Sequence, residues 1–169
     1  MVASYTPTLS SLLRAQAERP PALVRDSDLV LISASPTSSG HFKALPEVGP
    51  EIDLVAGLAL SVDACPNSLS PDDVTSEQMA RALQSASIVH IACHGLQNAA
   101  DPLESAFHLS GERTLSVSEL MELDLKRAEL AFLSACETAK GDREQPDQAI
   151  HLAATMLFVG FRSVIGTMW

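Results

Sequence analysis

Two apolar runs in this chain each end on a residue that can move a proton or attack a carbonyl. The run "SIVHIACHG" at 87–95 carries His90 and closes on His94 and Gly95, and "ELAFLSACET" at 129–138 closes on Cys136. A thiol beside an imidazole is an activated nucleophile, because the ring assists proton transfer while backbone N–H groups receive the oxyanion. Gly95 lets the backbone approach a substrate closely, so its N–H and that of Cys136 are the candidate oxyanion donors. The pair His90 and His94 raises a second chemistry, since H-x-x-x-H is a zinc-ligand spacing on a helix. On a helix the two rings would share a face about 6 Å apart. On a strand, four residues at roughly 3.3 Å each separate their Cα atoms by about 13 Å, too far for one ion. The β-branched content and the length of the run favour a strand, and Ile91 stands where a zinc protease has its glutamate. No metal and no other cofactor is expected.

Other catalytic patterns are missing from the sequence. It has no G-x-S-x-G, no P-loop and no G-x-G-x-x-G. His41, His108 and His151 have no motif around them and read as structural or solvent-facing. Cys65 and Cys93 read as small buried hydrophobes. Three cysteines without a C-x-x-C spacing suggest neither a disulfide framework nor a zinc knuckle, and reduced thiols in the cytoplasm are expected.

The elements that must position His94 and Cys136 follow from hydrophobic pattern. A short amphipathic helix is predicted over 8–19, ahead of Pro20-Pro21. "DLVLISASP" is a buried strand, and 46–60 a helix with acids on its positive end. The turn-rich stretch that follows leaves room for one short strand near 61–65. "TSEQMARALQSA" opens with a capping box of Thr75 and Gln78, a helix that delivers the chain into the first histidine run. A hairpin around Ser110-Gly111, one or two helical turns in "SVSELMEL", and a second buried strand ending at Cys136 come next. "DQAIHLAATMLFVGF" is a buried helix ended by Gly160, and "RSVIGTMW" a closing strand. The alternation implies an α/β domain of three layers, a mostly parallel open sheet with helices on both faces. Ligands of such sheets bind outside the carboxyl ends of the strands, which is where His94 and Cys136 fall. The separation between them fits one crossover between neighbouring parallel strands.

Composition narrows the partners. The chain has 169 residues, 46% hydrophobic and 19% charged, enough to bury a single core, and only 4% aromatic. A net charge of -10 argues against nucleic acid or an anionic membrane as the main partner and leaves a protein or peptide. The N-terminus lacks a secretory pattern and no apolar run has the length of a membrane span. The acids Asp101, Glu104 and Glu112 follow the histidine run, where they would favour a basic substrate side chain or, as acids on loops more often do, simply be solvated.

Taken in order, "HIACHG", "DPLESAFHLSG", "LDLKRAELAFLSACETAKGD" and "DQAIHLAATMLFVGFRSVIGTMW" resemble the CHAT domain, a caspase-like module related to separases. The resemblance covers residues 27–169, with 1–26 as a helical segment and linker. It implies a caspase-hemoglobinase-like fold and a cysteine endopeptidase dyad in which His94 is the acid/base and Cys136 the nucleophile. His90 falls on a recurrent histidine of the same block and suits a packing or hydrogen-bonding role. Ser105, Glu137 and Thr138 are assigned to shaping the site. The family domain continues past "G-T-M-W" into a further helix and strand, so the chain is expected to be incomplete at its C-terminus. The alternative function is a non-catalytic CHAT-fold interaction domain in a signalling assembly, with a helical-repeat or sensor partner.

Overall fold

The runs that end in His94 and Cys136 are neighbouring parallel strands. The structure, a computed structural model, describes residues 8–16, 29–34, 44–69, 74–98, 100–136 and 152–166. In chain order these give α1 (Leu9–Gln16), β1 (Leu29–Ser33), α2 (Val48–Leu60), β2 (Asn67–Leu69), α3 (Ser76–Ser85) and β3 (Ile88–Leu96). A 3-10 turn at Pro102–Glu104 leads to β4 (Ala106–His108), β5 (Thr114–Ser116), α4 (Val117–Met121), β6 (Leu130–Cys136), α5 (Leu152–Val159) and β7 (Ser163–Gly166).

Among the described residues seven strands form one sheet. Its body is parallel, in the order β2, β1, β3, β6, β7. Where β1 stops, the antiparallel pair β4 and β5 takes over its place beside the end of β3. Odd-numbered residues of the two central strands (Val89, Ile91, Cys93 and Ala131, Leu133, Ala135) point into the main core. Met79 and Leu83 of α3, Val117 and Leu120 of α4, and Leu152 and Met156 of α5 fill the other side of that core. Each fully buried Leu, Ile or Met there contributes about 1.5–3 kcal/mol by leaving water. The opposite face, with His90, Phe132 and Ser134 of the central strands and Leu31 of β1 in register with His90, lies under α2. Helices on both faces make the three layers, and the fold class read from the sequence holds.

Local chemistry sets the boundaries. The Thr75 hydroxyl accepts from the Gln78 N–H at 3.2 Å and the Gln78 side chain accepts from the Thr75 N–H at 2.9 Å, so α3 starts on the expected capping box. Ser116 and Glu119 form a second box at α4 that the sequence reading had not singled out. Gly111 adopts φ 71° in the hairpin turn and Gly160 φ 133° after α5, both in the region that favours glycine. A Cβ on Gly160 would lie 2.6 Å from the Leu125 carbonyl oxygen, so α5 can end and turn into β7 only there.

One expected element is displaced. Residues 61–65 form no strand, because their amides close the end of α2: Ser61 N–H donates to Gly57 and Leu58, Val62 to Ala59, Asp63 to Leu60 and Ala64 to Ala59. Asp63 takes φ 59°, which also breaks an extended run. The strand forms instead at Asn67–Leu69, on the free side of β1. The helices expected over 8–19 and 147–161 are seen as α1 and α5, with 17–19 and 147–151 outside the described residues. No helix among the described residues is long and apolar enough to cross a membrane.

Candidate active site

β3 and β6 run in register from Ile88 opposite Leu130 to His94 opposite Cys136. The last shared rung is therefore the one that carries the candidate imidazole and thiol, at the carboxyl ends of two parallel strands. Neighbouring strands lie about 4.8 Å apart, so the two backbones present these residues side by side. His94 is half-buried, and β3 runs two residues past it, to Leu96, paired there with β4.

The direction of the backbone groups on β3 can be read from its neighbours. The Ala92 carbonyl accepts from the Ala34 N–H at 3.0 Å on the β1 side, and the Ser87 carbonyl accepts from Glu129 and Leu130 on the β6 side. Even-numbered residues thus turn their amide groups toward β1 and β4, and odd-numbered ones, Gly95 among them, toward β6. The Gly95 N–H is directed to the side on which Cys136 lies.

Upstream of that rung the same face is held by a polar clamp. Glu51 of α2 reaches down to the sheet, where its Oε1 lies 2.8 Å from His90 Nε2 and its Oε2 accepts from the Ser134 hydroxyl at 3.0 Å. A carboxylate can only accept, so His90 carries its proton on Nε2 in this pair. The His90 ring stacks on Phe132, its partner across β6, with centroids 4.9 Å apart and planes 8° from parallel. His90 thus packs and hydrogen-bonds within the layer between sheet and helix, away from the strand ends.

The loop after β3 is tied by local bonds. The Ser105 hydroxyl accepts from the Asn98 N–H at 3.0 Å, and the Ser105 carbonyl accepts from Val117 at 2.7 Å. Asn98 Oδ1 accepts from Ala100 and Asp101, and Asp101 Oδ1 from Leu103. Asp101 is thereby a cap for the 3-10 turn, while Glu104 and Glu112 are exposed. Glu137 and Thr138 lie outside the described residues, as do His41 and His151. Among the described residues no three His, Cys, Asp or Glu side chains are grouped to hold a metal ion.

A CHAT domain family model matches residues 2–169. The chain belongs to the CHAT family. This CHAT domain has the caspase-like α/β architecture, with β3 and β6 as the adjacent central strands. No curated protein matches it.

Three residues of the face escaped the sequence reading. Ser134 was within reach, because alternation puts it two positions before Cys136 on one strand. Glu51 had no such signal: it stands 39 positions from His90 and 83 from Ser134, and its place in the first turn of α2 reads as an ordinary dipole partner. His108, expected to be structural or solvent-facing, is buried at 4% exposure and stands in register with His94. Burial pushes its pKa below the ordinary 6.5, and the charge of His94 pushes it further, against a hydrogen bond with the Leu109 backbone and the nearby Glu112.

Proposed function

We propose that this CHAT domain is a cysteine endopeptidase that uses His94 and Cys136 as its dyad. What carries the reading is the shared last rung of β3 and β6, which brings an imidazole and a thiol to adjacent strand ends from distant parts of the chain. Membership of the caspase-like CHAT family supports it. The acidic charge of the chain accords with a protein or peptide substrate rather than a nucleic acid.

In this mechanism His94 accepts the Cys136 thiol proton, and the sulfur attacks the scissile carbonyl carbon. The carbonyl oxygen takes up the negative charge; the N–H groups of Gly95 and Cys136, expected as its donors, take part in the ladder bonds of the last rung, so they meet the oxyanion where that rung opens at the end of β6. Collapse of the tetrahedral adduct breaks the C–N bond as the His94 imidazolium gives its proton to the leaving amine, leaving a thioester on Cys136. Water then attacks the thioester with His94 as base, which frees the carboxylic acid and restores the thiol. Proton transfer of this kind contributes about 10²–10⁴-fold. The Glu51 clamp acts at a distance from this chemistry, fixing both strands under α2.

The test is labelling by a peptidyl acyloxymethyl ketone in a Cys65→Ser background, since Cys65, expected to be buried like Cys93, is instead exposed past the end of α2 and would react on its own. The reading predicts stoichiometric labelling that Cys136→Ala abolishes and His94→Ala slows at least 100-fold. Equal labelling of the parent and Cys136→Ala chains would overturn it and favour an interaction domain that keeps the fold without the chemistry.

A further inference from the structure

The last rung that β3 shares with β6 is longer than the dyad. Across three strands it carries His108 of β4, His94 of β3 and Cys136 of β6 as consecutive neighbours. The bonding pattern fixes how the two histidines meet. On β4 the Leu109 N–H donates to the Arg113 carbonyl at 2.8 Å and the Ser105 carbonyl accepts from Val117 at 2.7 Å, so odd positions of that segment face β5. His108, an even position, therefore faces β3 and exchanges backbone bonds with His94, whose own amide groups point back toward β4. Residues paired in this way have Cα atoms about 5.5 Å apart and side chains on the same face of the sheet. Phe107 and Leu109, which flank His108, belong to the core on the opposite face.

We propose that His108 is a positioning residue for His94: a buried imidazole that backs the dyad histidine from the β4 side and serves as the acid gate of the site. This rests on the reading of His94 and Cys136 as a dyad and adds a third member to it. Two imidazoles on one rung do not both accept a proton readily, because the second cation is raised beside the first. Burial decides which of them stays neutral. His108 is 4% exposed while His94 is half-buried, so His108 is the one that burial holds neutral. Among the described residues the charged groups that act on His108 are His94 from β3 and Glu112 from the turn between β4 and β5, while its partner position on β5 is the uncharged Thr114. Glu112 is exposed and favours the cation from outside, so the gate closes only once acid protonates His108. A cation at His108 then opposes the His94 imidazolium and with it the charge pair that His94 forms with a Cys136 thiolate.

Two measurements test this on the full chain, carried with Cys65→Ser. NMR titration of the imidazole Cε1–H signals compares the parent with His94→Gln, and alkylation of Cys136 by iodoacetamide is followed against pH in the parent and in His108→Leu and His108→Gln. The His108 midpoint is expected to rise when His94 is replaced, while remaining below 6.5 because burial persists. The acid limb of the alkylation profile is expected to steepen toward two protons in the parent and to follow one proton in both His108 variants, with the rate on the neutral plateau reduced severalfold. A His108 midpoint that does not move in His94→Gln overturns the proposal whether or not Cys136 reacts. An alkylation profile with the same acid slope in all three chains overturns it while leaving the dyad intact. Failure of the dyad itself shows separately, as a Cys136 with the pH profile of a free thiol whose rate does not change in His94→Gln.

Discussion

Removing the Glu51 carboxylate tests whether α2 is held to the sheet by chemistry or only by packing. In the native chain that carboxylate receives two hydrogen bonds, at 2.8 Å from His90 and 3.0 Å from Ser134. Bonds to a charged group are worth about 1.5–3 kcal/mol each and neutral ones about 0.5–1.5 kcal/mol. Glu51→Gln keeps the size and loses the charge, which by that difference removes about 2 kcal/mol from two bonds. The Glu51 side chain is 30% exposed, so competing water reduces the expected loss to about 1–1.5 kcal/mol. Glu51→Ala is worse, because it strands the His90 N–H at 7% exposure together with the Ser134 hydroxyl, and about 3 kcal/mol is expected. The assay is urea unfolding, read as a lower midpoint at unchanged slope. In a chain of this size about 3 kcal/mol corresponds to a fall in Tm of roughly 6–12 °C. A double-mutant cycle of Glu51→Ala with Ser134→Ala should show a coupling of about 1 kcal/mol. Variants within about 0.5 kcal/mol of the parent, or strictly additive losses at Glu51 and Ser134, would refute the clamp.

The other expectations are read from single residues. Gly160→Ala should cost at least about 2 kcal/mol in the same unfolding assay, since the backbone is at φ 133° and the new methyl meets the Leu125 carbonyl at 2.6 Å; a neutral outcome would mean that the turn after α5 relaxes freely. Cys65 is exposed and Cys93 is buried in the core, so a thiol reagent should modify Cys65 within minutes in the folded chain and Cys93 only after unfolding; comparable rates by peptide mass mapping would contradict the burial. His108 should make the fold acid-sensitive. Its folded midpoint lies below the unfolded value of 6.5, so between the two the unfolded chain binds more protons, and stability falls as pH drops from 6.5 to that midpoint and then levels. The parent should therefore lose more stability than His108→Gln between about pH 7.5 and pH 5 in urea titrations, and equal losses would remove His108 as the cause.

How much of this was legible before the fold was seen depends on the range over which each signal acts. β3 and β6 were legible because a buried parallel strand is a continuous apolar run, and the two runs last pair at His94 and Cys136. The capping box at Thr75 was legible because all its atoms lie within four residues. The strand beside β1 was misplaced because turn formers spread from 61 to 73, and only the closing bonds of α2 decide that 61–65 belong to the helix end. His108 was passed over because its meaning comes from register: nothing near it in the sequence says that the hairpin folds back to set it opposite His94. Glu51 was seen as a charge on a helix dipole, and its two partners come from strands far along the chain.

The central claim is that the rung shared by β3 and β6 hydrolyses peptide bonds. Its most direct test is a proteome-derived peptide library incubated with the parent chain, Cys136→Ala and His94→Ala, with new N-termini identified by mass spectrometry and folding checked by amide NMR. The account predicts new termini at a consistent sequence with the parent and none with either folded variant. New termini that persist in Cys136→Ala, or a folded parent that labels at Cys136 no faster than at Cys65, would contradict it.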